Sequence, residues 1–527
     1  MRTLAGTLAL LRLGLRRDRV RLAMWLPALA GLTYFSGSAM GSAFPTQRAV
    51  DAYGASVSGS PALIAMTGPP LGLDTLAGIV LNKVGPTAVV GVVLLAVLTV
   101  VRHTRAEEEA GRSELLRAAV VGRHAGSCAA MLLAGGASVA VGALTALALA
   151  GCSVPAGSAW LFGAGTAALG LVFAAVGLVV AQVFTHARTA TGITLAVFGI
   201  AYVIRAVGDV QGSALVWLSP IGWSQATHVL GDERWWPLAV SVVASALLVV
   251  AAVALASRRD VGEGLVASRP GPARASRALA GPIGLAARSQ RGALLGWTAG
   301  LFALSAAMGS LSREVADMAR DNPTLSRYLA ASGQASLTDT YLSTMLLIMA
   351  LLATGFAVSS ALRLRGEETS GRAEVLLATG LSRTRWLLGS LLVTTIGTAV
   401  LLLASGLGMG LAYGLVLHDA GQPFRLAGLA LEYAPAALSL AGLAVLLVGW
   451  LPRALSIAWA VLAVCFVIGW LGGLVRPPHW LEELSPFWQT PAVPAEPVTA
   501  APMAIALSVV LLVGVGALGL RRRDVTA

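Results

Sequence analysis

Apolar runs long enough to cross a bilayer recur about a dozen times along these 527 residues, and no other feature limits the possible folds as strongly. A helix needs roughly 20 predominantly apolar residues to span the hydrocarbon layer. Such runs lie near 22–40, 86–102, 126–151, 159–184, 190–207 and 237–256. A second set lies near 293–311, 342–362, 386–416, 427–450, 454–475 and 501–520. None alternates apolar with polar residues, as a membrane barrel strand would. Only 12% of residues are charged, against about 25% in soluble domains. The sequence therefore predicts an all-α polytopic membrane protein with about 12 transmembrane helices.

Charge placement sets the expected orientation. Threading twelve spans from a cytoplasmic N-terminus puts 28 of the 37 Lys and Arg residues on the cytoplasmic side, the side on which basic loops are retained during insertion. Both termini are then cytoplasmic, in a multi-pass protein of the cell membrane. External loops receive most of the acids, among them Asp51, Asp74, Asp232, Glu233, Glu314 and Asp317. The net charge of +12 does not signal nucleic acid, because no basic patch is interleaved with exposed aromatics. In the opening "MRTLAGTLALLRLGLRRDRVRLAMW", Leu4, Leu8, Leu11, Leu15 and Leu22 share one helical face flanked by arginines. That pattern predicts a basic amphipathic helix in the membrane interface, not a cleavable signal peptide. Cys128, Cys152 and Cys465 lack CxxC spacing and read as packing residues. The histidines, including His103, His124 and His186, lack metal-ligand spacing.

The chain repeats itself. Arg105, Glu107, Glu108, Gly111, Arg112, Glu114 and Arg123 recur 260 positions later as Arg365, Glu367, Glu368, Gly371, Arg372, Glu374 and Arg383. "RRDV" stands at Arg258 to Val261 and again at Arg522 to Val525. "LSP" precedes aromatics at Leu218 to Pro220 and at Leu484 to Pro486. Arg16, Arg19 and Trp25 match Arg288, Arg291 and Trp297. Four pairs in one order are a duplication. Six spans per half make the repeats parallel, related by an axis along the membrane normal. The expected organisation is a first half at 1–256 with its interfacial helix, a cytoplasmic linker with a second interfacial helix at 257–291, and a second half at 292–527.

Glu108 and Arg112, like Glu368 and Arg372, are spaced four apart with the acid first, the favourable order for an intrahelical pair. This predicts a short, exposed, ionic cytoplasmic helix after the second span of each half. A solvated charge run explains one such cluster but not its repetition; a surface read by a partner explains both copies. "RAEEEAGRSELL", "RGEETSGRAEVLL", "WLSPIGWSQATHVLGDERWWPL" and the two "RRDV" motifs together resemble the membrane subunit of an actinobacterial type-2 ABC exporter. That group includes permeases that export tetronasin and other polyketide antibiotics. The resemblance implies that these cytoplasmic helices are coupling helices, seated in grooves of ATP-binding subunits. The role falls on Glu107, Glu108, Gly111, Arg112 and Glu114, and on Glu367, Glu368, Gly371, Arg372 and Glu374. One departure, Arg117 opposite Leu377, predicts that the two docking sites differ.

The chain has no P-loop. Its single lysine, Lys83 in "VLNKVG", lacks the glycines and hydroxyl of GxxxxGK[ST]. On this reading ATP and Mg²⁺ belong to the partner subunits, two copies of them, and the chain binds no cofactor or metal and is not itself an enzyme. An intramembrane enzyme would need a nucleophile paired with a base, which the spacing does not offer. An ion-gradient-driven secondary transporter is the alternative, and Glu432 in "LALEYAPAAL" is its candidate intramembrane polar site. Pro220, Trp223, Pro486 and Trp488 are candidates for an external gate, against the plainer reading of an aromatic belt. Few charges line the spans, so a hydrophobic or amphipathic small molecule, an antibiotic or drug, is the expected cargo, with lipid export the other possibility. Charge reversal at Glu108 and Glu368 is expected to uncouple transport while leaving the protein folded.

Overall fold

The computed structural model describes residues 2–112, 114, 121–260, 262–266, 274, 276, 279, 281–312, 336–475 and 479–523. Leu115, Leu116, Arg117, Glu314, Asp317 and most of the 267–280 stretch lie outside the described residues. Among the described residues the regular structure is helical throughout, without a strand. The chain forms two compact units, Met1–Gly271 and Pro272–Ala527.

The first unit runs α1 (Thr7–Ala43), α2 (Gln47–Gly59), α3 (Pro61–Thr67), α4 (Leu76–His103), α5 (Arg105–Glu109), α6 (Ala125–Ala150), α7 (Ala156–Val183), α8 (Ala187–Gln211), α9 (Pro220–Gln225) and α10 (Trp236–Ala256). The second runs α11 (Pro282–Ser310), α12 (Leu337–Thr369), α13 (Arg372–Ala378), α14 (Arg383–Leu417), α15 (Gln422–Ala430), α16 (Ala434–Trp450), α17 (Ser456–Val475), α18 (His479–Glu483) and α19 (Ala501–Arg522). Hydroxyl caps start several of these helices. Thr75 accepts from the Gly78 amide at α4, Ser336 from Asp339 at α12, and Ser382 from Arg385 at α14, each satisfying an otherwise orphaned donor.

Among the described residues, ten helical stretches are long and apolar enough to cross a membrane, among them Leu76–Glu109, Ala125–Ala150, Gln422–Trp450 and Ala501–Arg522. The chain is thus an all-α polytopic membrane protein. The count differs from the expected twelve at the first and eleventh positions. Helix α1 holds the first, but Thr33, Tyr34, Ser36, Ser38 and three glycines between 31 and 43 dilute its hydropathy. Helix α17 holds the eleventh, and its described apolar stretch is the shorter Ser456–Gly469.

The expected break between an interfacial helix and the first span is absent. Helix α1 continues without interruption from Thr7 to Ala43, and α11 likewise from Pro282 to Ser310. Leu4, Leu8 and Leu15 are exposed, while Gly14 and Asp18 face the packed side of α1.

Within the first unit, α4 is central, with Val92, Leu95, Ala96 and Val97 fully buried. Helices α6 and α7 meet closely at Gly142 and Gly163, where a Cβ on Gly142 would overlap the Gly163 carbonyl oxygen. Lipid tails are as apolar as leucine, so membrane helices associate through such close backbone approach rather than hydrophobic exclusion. In the second unit α12 and α16 occupy the core, with Leu346, Ala350, Ala436 and Ala444 buried. Helix α11 packs mainly on α14, and α19 on α16.

Candidate functional site

The two copies of the repeated cluster fold alike as far as a glycine break, beyond which the second continues as the short, largely exposed helix α13. Each begins at the end of a long span, α4–α5 or α12, and breaks at a glycine. Gly111 has φ of 69° and Gly371 has φ of 71°, the left-handed conformation that ends helices and that a Cβ disfavours. Their amides close on the carbonyls of Glu108 and Glu368, both at 3.0 Å. After the break a residue four positions on no longer shares the helical face. The expected Glu108–Arg112 and Glu368–Arg372 pairs therefore do not form.

Both acids turn inward. In the first unit Glu108 sits between two guanidinium groups, Arg105 at 2.7 Å and Arg259 at 2.7 Å. Arg105 also donates to the Ala181 carbonyl at 3.1 Å and the Glu263 carbonyl at 2.9 Å. Arg259 donates to Gln182 Oε1 at 2.7 Å. In the second unit Glu368 is 0% exposed and sits between Arg365 at 2.9 Å and Arg523 at 2.6 Å. Arg259 and Arg523 are the second arginines of the two "RRDV" motifs. The two repeats read separately in the sequence are thus halves of one device. The segment after the last span of each unit is strapped to the end of the α4–α5 or α12 span by a carboxylate held between two arginines. Charge-assisted, two-pronged pairs of this kind are strong and geometrically specific.

A second strap repeats as well. Arg123 donates to the carbonyls of Ala256 and Ser257, both at 3.1 Å, where α10 ends. Arg383 donates to those of Leu520 at 3.1 Å and Arg523 at 2.6 Å, where α19 ends. A cation satisfying the orphaned carbonyls of a helix C-terminus also complements its dipole.

The flanking acids differ. Glu107 is buried and takes Arg17 at 2.9 Å and Arg112 at 2.8 Å. That hydrogen bond, with the carboxylate's charge, raises the Arg112 guanidinium above its ordinary pKa. Glu367 instead accepts from the Trp386 indole at 3.0 Å, and Arg372 donates to Ser370 Oγ at 2.9 Å. What remains outward is Arg112, Glu114, Arg372 and Glu374, with Val375 70% exposed on α13 and Ala373 buried beneath it.

The other expected sites are dispersed. Pro220 opens α9 behind the Ser219 cap, and the Trp223 indole donates to the Trp217 carbonyl at 2.7 Å. Trp217 in turn stacks on Trp236, with ring centroids 5.4 Å apart. Pro486 is half-buried and Trp488 exposed, while Phe487 is the aromatic that enters the second unit's core. Glu432 is half-buried on the 3-10 turn Leu431–Tyr433, beside the fully buried Tyr433.

Asp18 is a residue that sequence reasoning does not single out. It is fully buried on α1, 2.7 Å from His103 Nε2 and 3.3 Å from Arg102 Nε. Its signal is a lone acid inside "RRDRVR". At the offset that relates Arg16 to Arg288, the second unit has Gln290, also buried, which accepts from Ser360 Oγ at 2.6 Å. Asp18→Asn is expected to lower the thermal unfolding temperature by several degrees, because a paired buried charge is replaced by an amide that leaves Arg102 unmatched. Gln290→Leu, which removes only a neutral hydrogen bond, is expected to cost less. Thermal melts of the two purified variants check this.

Known proteins agree with this architecture. Residues 279–521 match the family model described as multidrug efflux system permease Rv1217c, C-terminal domain. Over 525 residues the chain is 41% identical to the multidrug efflux system permease protein Rv1217c of Mycobacterium tuberculosis, covering 99% of this chain and 95% of that protein. The exporter-permease resemblance carried by the repeated motifs is borne out: the chain belongs to the family of multidrug efflux system permeases.

Proposed function

We propose that the chain is the membrane subunit of an ATP-driven exporter, moving hydrophobic or amphipathic small molecules out of the cell. Separate ATP-binding subunits, carrying ATP and Mg²⁺, dock at the turn beyond Gly111 and at α13 beyond Gly371. The observation that carries this reading is the same buried clamp, built twice around Glu108 and Glu368. A solvated loop needs no such rigidity; a lever that transmits force from a motor does. The basic residues gathered at these turns and at both termini support a cytoplasmic position for this side, by the charge bias of inserted proteins. The relative's description as a multidrug efflux permease supports the cargo class.

The clamp also reassigns the docking residues. Glu107, Glu108, Glu367 and Glu368 hold the lever, while Arg112, Glu114, Arg372 and Glu374 present it. Reconstitution of the chain with its ATP-binding subunits in proteoliposomes tests the proposal. Export of a fluorescent amphipathic dye is expected to require ATP and to be insensitive to a protonophore. Export that ignores ATP and collapses with the protonophore overturns the proposal in favour of a secondary transporter.

A further inference from the structure

The first unit contains a cavity of about 110 Å³ at the end of α8 far from the clamp. Ala187, where α8 begins, donates its amide to Glu109, whereas Arg205 lies roughly 27 Å along the helix at 1.5 Å per residue. The walls are mainly apolar, supplied by Leu81, Pro86, Val89, Phe162 and Ile221. Into them project a few polar groups, including Arg205 and Gln225, the composition of a small-molecule site. Asn82 also lines the cavity but is already committed to Thr67 at 2.9 Å and Tyr53 at 2.7 Å.

Arg205 and Gln225 are not fully committed. The Arg205 side chain is buried, lies over the Tyr202 ring at 4.3 Å, and reaches Asp209 at 3.2 Å. Among the described residues, neither Arg205 Nε nor Gln225 Oε1 meets a hydrogen-bond partner. Two residues that line one apolar chamber thus each carry a buried, unmatched polar atom, a costly arrangement unless a ligand or solvent reaching past the wall completes it. Asp209 neutralises the guanidinium, so the pair presents a dipole and not a net charge.

We infer that this cavity binds the polar head of an uncharged amphipathic molecule that carries a carbonyl beside an N–H or hydroxyl donor. The carbonyl accepts from Arg205 Nε and the donor meets Gln225 Oε1. A cavity of 150 Å³ holds benzene, so about 110 Å³ takes a carboxamide-sized head while the apolar remainder leaves through the opening. In the second unit α17 carries neither Arg nor Asp along Ser456–Val475, so that helix offers no equivalent of the Arg205–Asp209 pair. The inference deepens the export reading by naming a cargo chemistry, but binding itself needs no motor.

Equilibrium binding of radiolabelled decanamide, methyl decanoate and decanoate to the full chain in nanodiscs, with empty nanodiscs subtracted, tests this. Decanamide is expected to bind about tenfold more tightly than the ester, which leaves the buried Gln225 Oε1 unmatched. Gln225→Met is expected to abolish that preference, and Arg205→Gln to weaken binding of amide and ester alike. If Arg205→Gln does not fold, the loss of preference in Gln225→Met alone carries the assignment. Equal binding of amide and ester, a preference surviving Gln225→Met, unchanged binding in a folded Arg205→Gln, tighter binding of decanoate, or no saturable binding (a chamber holding water only) each overturns it. Amide-selective binding without ATP-driven export would sink the export reading and leave the site standing.

Discussion

Glu368→Ala is expected to lower the unfolding temperature of the purified protein by on the order of 10 °C, the largest stability loss of any single clamp substitution. Removing one partner from a buried ion pair costs about 3–5 kcal/mol, because the remaining charge stays buried without its counterpart. For a unit of this size, 1 kcal/mol corresponds to roughly 2–4 °C. Glu368 is the described carboxylate that meets both Arg365 and Arg523, and Arg523 Nε meets no hydrogen-bond partner among the described residues. Glu108→Ala is expected to cost distinctly less. Arg105 would keep the carbonyls of Ala181 and Glu263, and Arg259 would keep Gln182. A thiol-reactive dye can follow unfolding of the second unit through the buried Cys465, with Cys128 and Cys152 replaced by serine. Equal losses for the two variants would contradict the clamp's asymmetry. No loss for Glu368→Ala would show that the carboxylate is not structural at all.

This expectation reverses what the sequence alone supports, and the reason is physical. Apolar length and the 260-residue offset are local or periodic signals, so the helical class and the duplication were legible. The clamp was not, because "RRDV" meets the acidic cluster across a sequence separation of 151 residues for Arg259 and Glu108. Two repeated motifs at constant spacing hint that they share a role, but nothing in one sequence says that they touch. Both copies place a glycine immediately before the arginine, and glycine at that point is a helix stop, so an i,i+4 pair drawn across it had a poor warrant. Arg205 was also readable in principle. An arginine in "ITLAVFGIAYVIRAVGD" is an ionisable group inside an apolar run, which marks a functional site by default. Its pairing with Gln225, however, depends on α9 folding back over α8.

The clamp also determines which charges are left to engage a motor. Glu114→Lys combined with Glu374→Lys is expected to reduce ATP-driven export about tenfold or more while leaving the unfolding temperature unchanged. Both side chains are exposed beyond the glycine break, so reversing them disturbs no clamp contact. At a docking surface, however, a reversed charge sets like against like, and such juxtaposition costs several kcal/mol. The uncoupled form is expected to export poorly although each subunit is intact, with the motor's basal hydrolysis retained and its stimulation by cargo lost. The two single variants then measure equivalence. Arg112 is held by Glu107 at 2.8 Å, whereas Arg372, among the described residues, is held by a neutral serine hydroxyl at 2.9 Å. The second-half surface therefore keeps a cation available to a partner's carboxylate, and Val375 adds an exposed apolar contact beside it. Glu374→Lys alone should accordingly impair coupling more than Glu114→Lys alone. A double variant that exports like the native protein would remove both turns from the docking surface and leave the clamps as purely structural straps.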